Sequence, residues 1–475
     1  MGNRIFRSLE MVKGIGHEYE CRGMSDWRPS RRTLLRALGT ATVAGTAASG
    51  VSAQNGSPTT ESWAEFAADP ANTGFAPTNT GPIDSKEEDW RFETAENVLS
   101  SPAVVAPDGQ DGEDGATVYV GSNDGNVYAI DAGDGTERWR FETDGKVSSS
   151  PAVLDGTVYV GSNDGNVYAI ATADGTERWR FETDGAVLSA PTVVDGTVYV
   201  GSDDETVYAI ATDDGSETWT HSTDGAVWSS PAVVDGTVYV GSNDNHVYAL
   251  STEDGSRKWR KQTADNVESA PTVAEIEGDD EATVFVGSLD GFVYALAAGD
   301  GSERWRHRLQ DQVDASPTVA DGTVYVGSLD GYVHALDADD GDRQWRTETN
   351  GVVNSSPAVT GAVDGDSAEP GQLYVGSVDG RLYALSADDG DESWHFDTAG
   401  KVYSSPAVAN GTVYVGSEDG NVYAVTGRTT PTTTGGEGGG GLLPTPGFGV
   451  FGTLVALGLG GWGLLRRNGS DDAEK

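Results

Sequence analysis

Residues 147–186 read VSSSPAVLDGTVYVGSNDGNVYAIATADGTERWRFETDGA, and this stretch decides the fold. It breaks into four short runs separated by turn chemistry. The first run is Val147 to Leu154, and Asp155-Gly156 follows it as a two-residue hairpin turn, since glycine accepts the positive φ needed there. The second is Thr157 to Gly161, strong in β-prone Val and Tyr. Asn163-Asp164-Gly165 turns the chain into the third run, Asn166 to Ala171. Asp174-Gly175 turns it again into the fourth, Glu177 to Thr183. Four strands joined by tight turns predict one blade of a β-propeller.

The unit recurs along the chain. A Gly-Ser pair closing the second run begins at Gly121, Gly161, Gly201, Gly241, Gly287, Gly327, Gly376 and Gly416. A first-run proline stands at Pro102, Pro151, Pro191, Pro231, Pro271, Pro317, Pro357 and Pro406. A fourth-run tryptophan stands at Trp90, Trp139, Trp179, Trp219, Trp259, Trp305, Trp345 and Trp394. Each series has eight members. Their phase is offset: Trp90 precedes the first complete set, and the last unit stops at Val422–Val425 with no fourth run. Asp89 to Thr94 is therefore expected to supply the fourth strand of the last blade, which closes the ring and removes free sheet edges. The predicted fold is all-β, an eight-bladed propeller of four-stranded antiparallel blades over residues 81–428. The long spacings at 106–116, 275–282 and 361–371 are expected between first and second strands. No run in the repeats has helical period.

Ala129-x-Asp131-x-x-Asp134-Gly135-x-x-x-Trp139 resembles the tryptophan-docking motif of the pyrroloquinoline-quinone-type propellers, and the pattern returns around the later tryptophans. Trp63 to Pro77, WAEFAADPANTGFAP, resembles the N-terminal signature of the same superfamily. The resemblance covers residues 63–427 and implies that the eight tryptophans dock between blades. Quinone-dependent dehydrogenases of that superfamily use adjacent cysteines over the cofactor, a calcium or lanthanide held by Glu, Asn and Asp, and a catalytic Asp. This chain has a single cysteine, Cys21, outside the repeats, and no insertion aligns with such a metal cage. The expectation is a non-enzyme with no catalytic residue, no metal and no cofactor. The undecorated members of the superfamily resemble the propeller lipoprotein of the bacterial outer-membrane assembly machine, a protein-binding scaffold. That resemblance implies a protein-interaction module; the alternative is a carbohydrate- or small-ligand-binding protein, with a quinone-dependent dehydrogenase behind both.

Acidic residues number 75 against 30 basic ones, a net charge of −45 spread through the repeats. That balance argues against nucleic-acid binding, which needs a basic footprint. At molar salt, where the Debye length falls to about 3 Å, such repulsion is screened, so a high-salt organism is expected. Residues 1–53 read as a leader with a twin-arginine signal: Arg31-Arg32, an apolar stretch from Ala37 to Val51, and a small-x-small site at Val51-Ser52-Ala53. Residues 54–80 lead into the propeller, and 429–445 form a Thr/Gly-rich linker. Residues 446–475 resemble the Pro-Gly-Phe sorting signal of archaeal surface proteins, which implies a membrane anchor. The expected product is an exported, surface-anchored monomer of haloarchaeal type with a protein partner.

Other motifs have plainer readings. Asp-Gly pairs are what hairpin turns demand, and Asn123-Asp124-Gly125 lacks spaced calcium ligands. Glu275–Glu281 is the densest acidic loop and a weak cation candidate. His334 stands where other copies have tyrosine, as a packing variant.

One position varies where its neighbours do not. Each first run opens x-Val-z-(Ser/Ala)-(Ser/Ala)-Pro, and z is Leu99, Ser148, Leu188, Trp228, Glu268, Asp314, Asn354 and Tyr403 in turn. First strands are innermost in a propeller, so z is expected at the channel mouth and the Val between blades. Trp228, Glu268, Asp314, Asn354 and Tyr403, from consecutive blades, then form one arc, the candidate binding surface. Asn354-Ser355-Ser356 is also a glycosylation sequon.

Overall fold

In a computed structural model, residues 63–427 are described apart from 65, 77–80, 83–85, 107–114, 277, 280 and 362–370. The twin-arginine motif, the leader, the linker and the C-terminal sorting signal lie outside the described residues.

Among the described residues there are eight sheets, each built on four antiparallel strands, and one of them carries a fifth strand. Blade two is typical, with strands Ala152–Leu154, Thr157–Gly161, Asn166–Ala171 and Glu177–Glu182. Asp155 and Gly156 sit at φ of 47° and 72°, the backbone of a type I′ turn, whose twist matches that of the strands it joins. The longer loops do fall between first and second strands, as between Ala103–Val105 and Thr117–Gly121.

The first strand is shorter than its sequence run. Pairing begins at Ala152 and not at Val147. Pro151 has no N–H to offer a ladder. Before it, the Ser149 hydroxyl accepts the Gly161 N–H at 3.1 Å, so a side chain replaces the missing rung.

The ring closes as the tryptophan phase requires. Glu87–Glu93 pairs antiparallel with Asn421–Thr426 and forms the outer strand of blade eight. The N-terminal lead-in adds a second tie: Phe75–Ala76 pairs parallel with Val359–Thr360 in blade seven.

Three repeated contacts lock neighbouring blades. The first is the tryptophan: Trp90 Nε1 donates to the Ala132 carbonyl of blade one at 2.9 Å, and its ring covers Gly135, where a Cβ would come within 2.8 Å of the indole. A glycine in the motif therefore receives the tryptophan of the preceding blade. An indole hides about 150–250 Å², or roughly 4–6 kcal/mol of transfer free energy at about 25 cal/mol/Å². At the seventh blade the acceptor is the Pro82 carbonyl, 2.8 Å from Trp394 Nε1, so the lead-in chain completes the last docking site.

The second contact is the invariant Val against the Gly of the Gly-Ser pair. Val187 is buried against Gly161, where a Cβ would stand 2.4 Å from Val187 Cγ1. Val98 meets Gly416 in the same way across the closure.

The third is a carboxylate latch. Asp124 Oδ2 accepts Tyr128 Oη at 2.8 Å within its blade and the Ala95 N–H at 3.0 Å from the bend that follows Glu87–Glu93. Burial, then the bond to Asp124, pushes the Tyr128 phenol up to about 12. Burial would raise the Asp124 carboxyl, but bonds from Asn126, the Ala95 N–H and Tyr128 bring it below its usual range. His334 takes the tyrosine's place in blade six, with Nε2 3.1 Å from Asp330 Oδ2. It is a packing variant that keeps the latch.

Candidate functional site

The lead-in segment runs along the inner strands and offers carbonyls to the first strands of blades two, four, five, six and seven. Ala64 O accepts Val153 N–H at 2.8 Å, Pro70 O accepts Val233 at 2.7 Å, and Ala71 O accepts Val273 at 2.9 Å. Thr73 O and Gly74 O accept Val319 and Val359, both at 2.9 Å. Asn72 is buried, and its Nδ2 donates to Pro231 O and Pro271 O at 3.1 and 3.2 Å. Gly74 has φ of 66°, and a Cβ there would stand 2.4 Å from Thr318 Oγ1, so the segment needs glycine at this point.

The first runs and this segment line a cup of about 180 Å³ in three tiers. Phe66, from the lead-in segment, lines it. The second Ser/Ala position of each blade forms the wall. Its hydroxyls bond from blade to blade: Ser101 N–H to Ser150 Oγ at 2.8 Å, Ser316 N–H to Ser356 Oγ at 3.0 Å, and Ser405 N–H to Ser101 Oγ at 2.9 Å. The z residues form the rim.

The structure brings Trp228, Glu268, Asp314, Asn354 and Tyr403 together on the lining of this cup, with Leu99 and Leu188 completing it. Ser148 is turned aside, donating to Asn123 Oδ1 at 3.0 Å. The z residues precede the paired part of the first strand, so their direction is set by the serine bonds rather than by strand alternation. Neighbouring rim residues touch: Asn354 Nδ2 donates to Asp314 Oδ2 at 2.7 Å. Trp228, held by a hydrogen bond from Nε1 to Asp203 Oδ1, is still 40% exposed. Lys401 lies over the Tyr403 ring at 5.5 Å and pairs with Glu418 at 3.5 Å.

Two carboxylates are costly here. Burial raises the Asp314 carboxyl, and the bond from Asn354 offsets only part of the rise. Burial likewise raises Glu268, the bond from Asn266 opposes it, and the charge of Asp314 adds to it. Among the described residues no basic side chain lines the cup.

No cysteine lies in the propeller, so the lining of the cup does not reproduce the adjacent cysteines of the quinone-dependent dehydrogenases. Among the described residues no group of three His, Cys, Asp or Glu is placed to hold a metal. The acidic loop finds an internal cation: Arg304 pairs with Asp279 and lies 3.7 Å from Glu281.

Sequence reasoning missed Phe66 and the serine wall. The serines are legible as a constant Ser/Ala pair, but the pattern does not show that their hydroxyls bond from blade to blade. Phe66 sits outside the repeats, and nothing in their pattern points to it.

The family described as outer membrane protein assembly factor BamB matches residues 83–191, 163–279, 267–372 and 357–432. Among curated proteins, none matches the sequence significantly. Of solved structures, BamB from Moraxella catarrhalis superposes with a TM-score of 0.58 at 17% identity, over 72% of this chain and 100% of that one. A quinohemoprotein alcohol dehydrogenase from Comamonas testosteroni gives 0.65 at 17% identity, over 78% and 81%. The computationally designed Ika8 protein gives 0.57 at 19% identity, over 71% and 99%. Identities this low speak for the fold alone.

Proposed function

The chain belongs to the family described as outer membrane protein assembly factor BamB, and on that premise we propose that it is a non-catalytic protein-interaction scaffold held at the cell surface. The observation that carries the reading is the cup rim. Eight blades built to one pattern differ at z, and Trp228, Glu268, Asp314, Asn354 and Tyr403 converge there. Exposed aromatics flanked by polar groups are the usual anchors of protein interfaces. The absence of cysteine from the propeller supports the non-catalytic part. Export and anchoring rest on the terminal sequence motifs, and the charge of −45 suits a high-salt exterior.

The test is affinity capture from native membranes in molar salt, comparing the parent with a Trp228→Ala, Tyr403→Ala double variant. The same partners, captured by the parent, are expected to be lost from the variant while its melting curve stays unchanged. Equal capture by both would remove the rim from the interface. A second reading, small-ligand binding, is favoured by the aromatic and carboxylate side chains that share the cup, Trp228, Tyr403, Glu268 and Asp314.

A further inference from the structure

The outer wall of blades four to six reverses the charge of the molecule. Its outer strands, Arg257–Gln262, Glu303–Arg308 and Arg343–Glu348, hold nine Lys and Arg against two Glu, in a chain of net charge −45. We propose that this wall is a second docking surface, which takes an extended acidic segment of a partner protein. It lies apart from the rim and does not depend on it.

The repeat shows that these charges are additions. Two residues before the tryptophan, the other blades carry glutamate, and it pairs with the arginine three residues on: Arg91 with Glu88 at 3.6 Å, Arg180 with Glu177 at 3.1 Å. In blades four and six that glutamate is Arg257 and Arg343, so Arg260 and Arg346 lose a carboxylate and gain a cation. Arg308 stands where blades one and two have Glu142 and Glu182. The ion pairs on this wall belong to Lys261, Arg304 and Arg306; among the described residues, Arg257, Arg260, Arg308, Arg343 and Arg346 form none. Charge keeps an outer strand from pairing with a stray edge, but that need does not choose a sign, and other blades meet it with glutamate.

A second change comes with the first. Where blades one and two have Asn126 and Asn166, blades five and six have Phe292 and Tyr332. Arg306 and Arg308 lie over the Phe292 ring at 5.0 and 5.6 Å, and Arg346 lies over Tyr332 at 4.3 Å. A guanidinium stacked in this way is held in place and has less freedom to lose on binding, and its fork matches a carboxylate. The wall is continuous: Lys261 of blade four pairs with Glu303 of blade five at 2.9 Å. Such contact pairs form at about the 3 Å Debye length of molar salt, so screening weakens them less than it weakens distant charges.

Carboxylates fit better than a nucleic acid. The rings on the wall already carry guanidiniums and leave no platform for stacked bases. The flanking outer strands, Glu217–Ser222 and Glu392–Asp397, hold no Lys or Arg, so a long polyanion would run onto repelling surface.

The test titrates the full chain, at fixed molar salt, with labelled octaglutamate and octaglutamine, and reads fluorescence anisotropy. Octaglutamate is expected to bind, and octaglutamine at least tenfold more weakly. The Arg257→Glu, Arg343→Glu double variant, which restores the pattern of the other blades, is expected to weaken octaglutamate about tenfold. Arg140→Glu, on blade one, is expected to leave it unchanged. Melting curves show that each variant is folded; if the double variant is not, Arg308→Glu takes its place with the same expectation. Equal binding of the two peptides, binding unchanged by the wall variants, or an equal loss in Arg140→Glu overturns the proposal. So does tighter binding of a thymidine oligonucleotide of the same charge. Sedimentation covers the remaining occupant: self-association of the parent that the wall variants abolish would assign the wall to a second copy of this chain and overturn the proposal.

Discussion

Asn354 Nδ2 donates to Asp314 Oδ2 at 2.7 Å, joining blades six and seven at the rim of the cup. The bond keeps Asp314 from full isolation yet leaves its carboxyl raised, as burial leaves that of Glu268. The folded state thus holds protons that the unfolded chain has released, so stability falls as pH rises from the unfolded carboxylate values, about 4, through the raised folded ones, and is level above them. Glu268→Gln and Asp314→Asn are expected to raise the Tm at neutral pH. The gain should shrink as pH drops below the carboxylate range. Thermal melts at pH 3.5 and 7.5 check it; a loss of Tm at neutral pH would show that the charges stabilise the fold.

Closure makes the chain ends equivalent to the ring interior. Trp90 and Trp219 each donate an indole N–H to the next blade at 2.9 Å, and both are buried. Replacing either by alanine is expected to cost a similar amount, about 3–5 kcal/mol, in denaturant titrations. A near-neutral Trp90→Ala beside a costly Trp219→Ala would mean that blade eight is not sealed by the N-terminal strand.

Two glycines separate sterics from backbone strain. At Gly161 a Cβ would meet Val187 Cγ1 at 2.4 Å and the Val187 carbonyl at 2.7 Å, so part of the obstacle is main chain. At Gly322 nothing lies within 4 Å, but φ is 72°. Gly161→Ala should cost about 3 kcal/mol or more and Gly322→Ala about 1 kcal/mol. The reverse order would contradict the Val–Gly interlock.

Salt dependence follows from charge. Going from molar salt to about 0.1 M lengthens the Debye length from about 3 Å to about 10 Å. With a net charge of −45, the Tm should fall steadily along that series. A Tm independent of salt would remove the argument for a high-salt setting.

The fold was legible because every blade states the same local rules. Asp155-Gly156 specifies its hairpin by φ alone, and Trp139 meets glycine in a neighbour built from the same sequence. The phase of Trp90 even told where the ring closes. The rim was legible by contrast, since z varies where Val147 and Pro151 do not. The lead-in segment was not. Phe66 and Asn72 are placed by carbonyls meeting N–H groups of distant blades, bonds that depend on main chain and leave no pattern in side chains. The shortness of the first strand was hidden for a related reason: the Ser149 hydroxyl stands in for a backbone rung, and sequence period cannot tell one from the other.

The absence of cysteine from the propeller allows a direct test of the interface. A single cysteine is placed either at Asn354, on the rim, or at Glu182, exposed on an outer strand. Each carries a photo-cross-linker and is activated on native membranes in molar salt. The account predicts a defined protein adduct from position 354 and none from position 182. Adducts from 182 alone, or identical adducts from both, would contradict a scaffold that binds through its channel mouth.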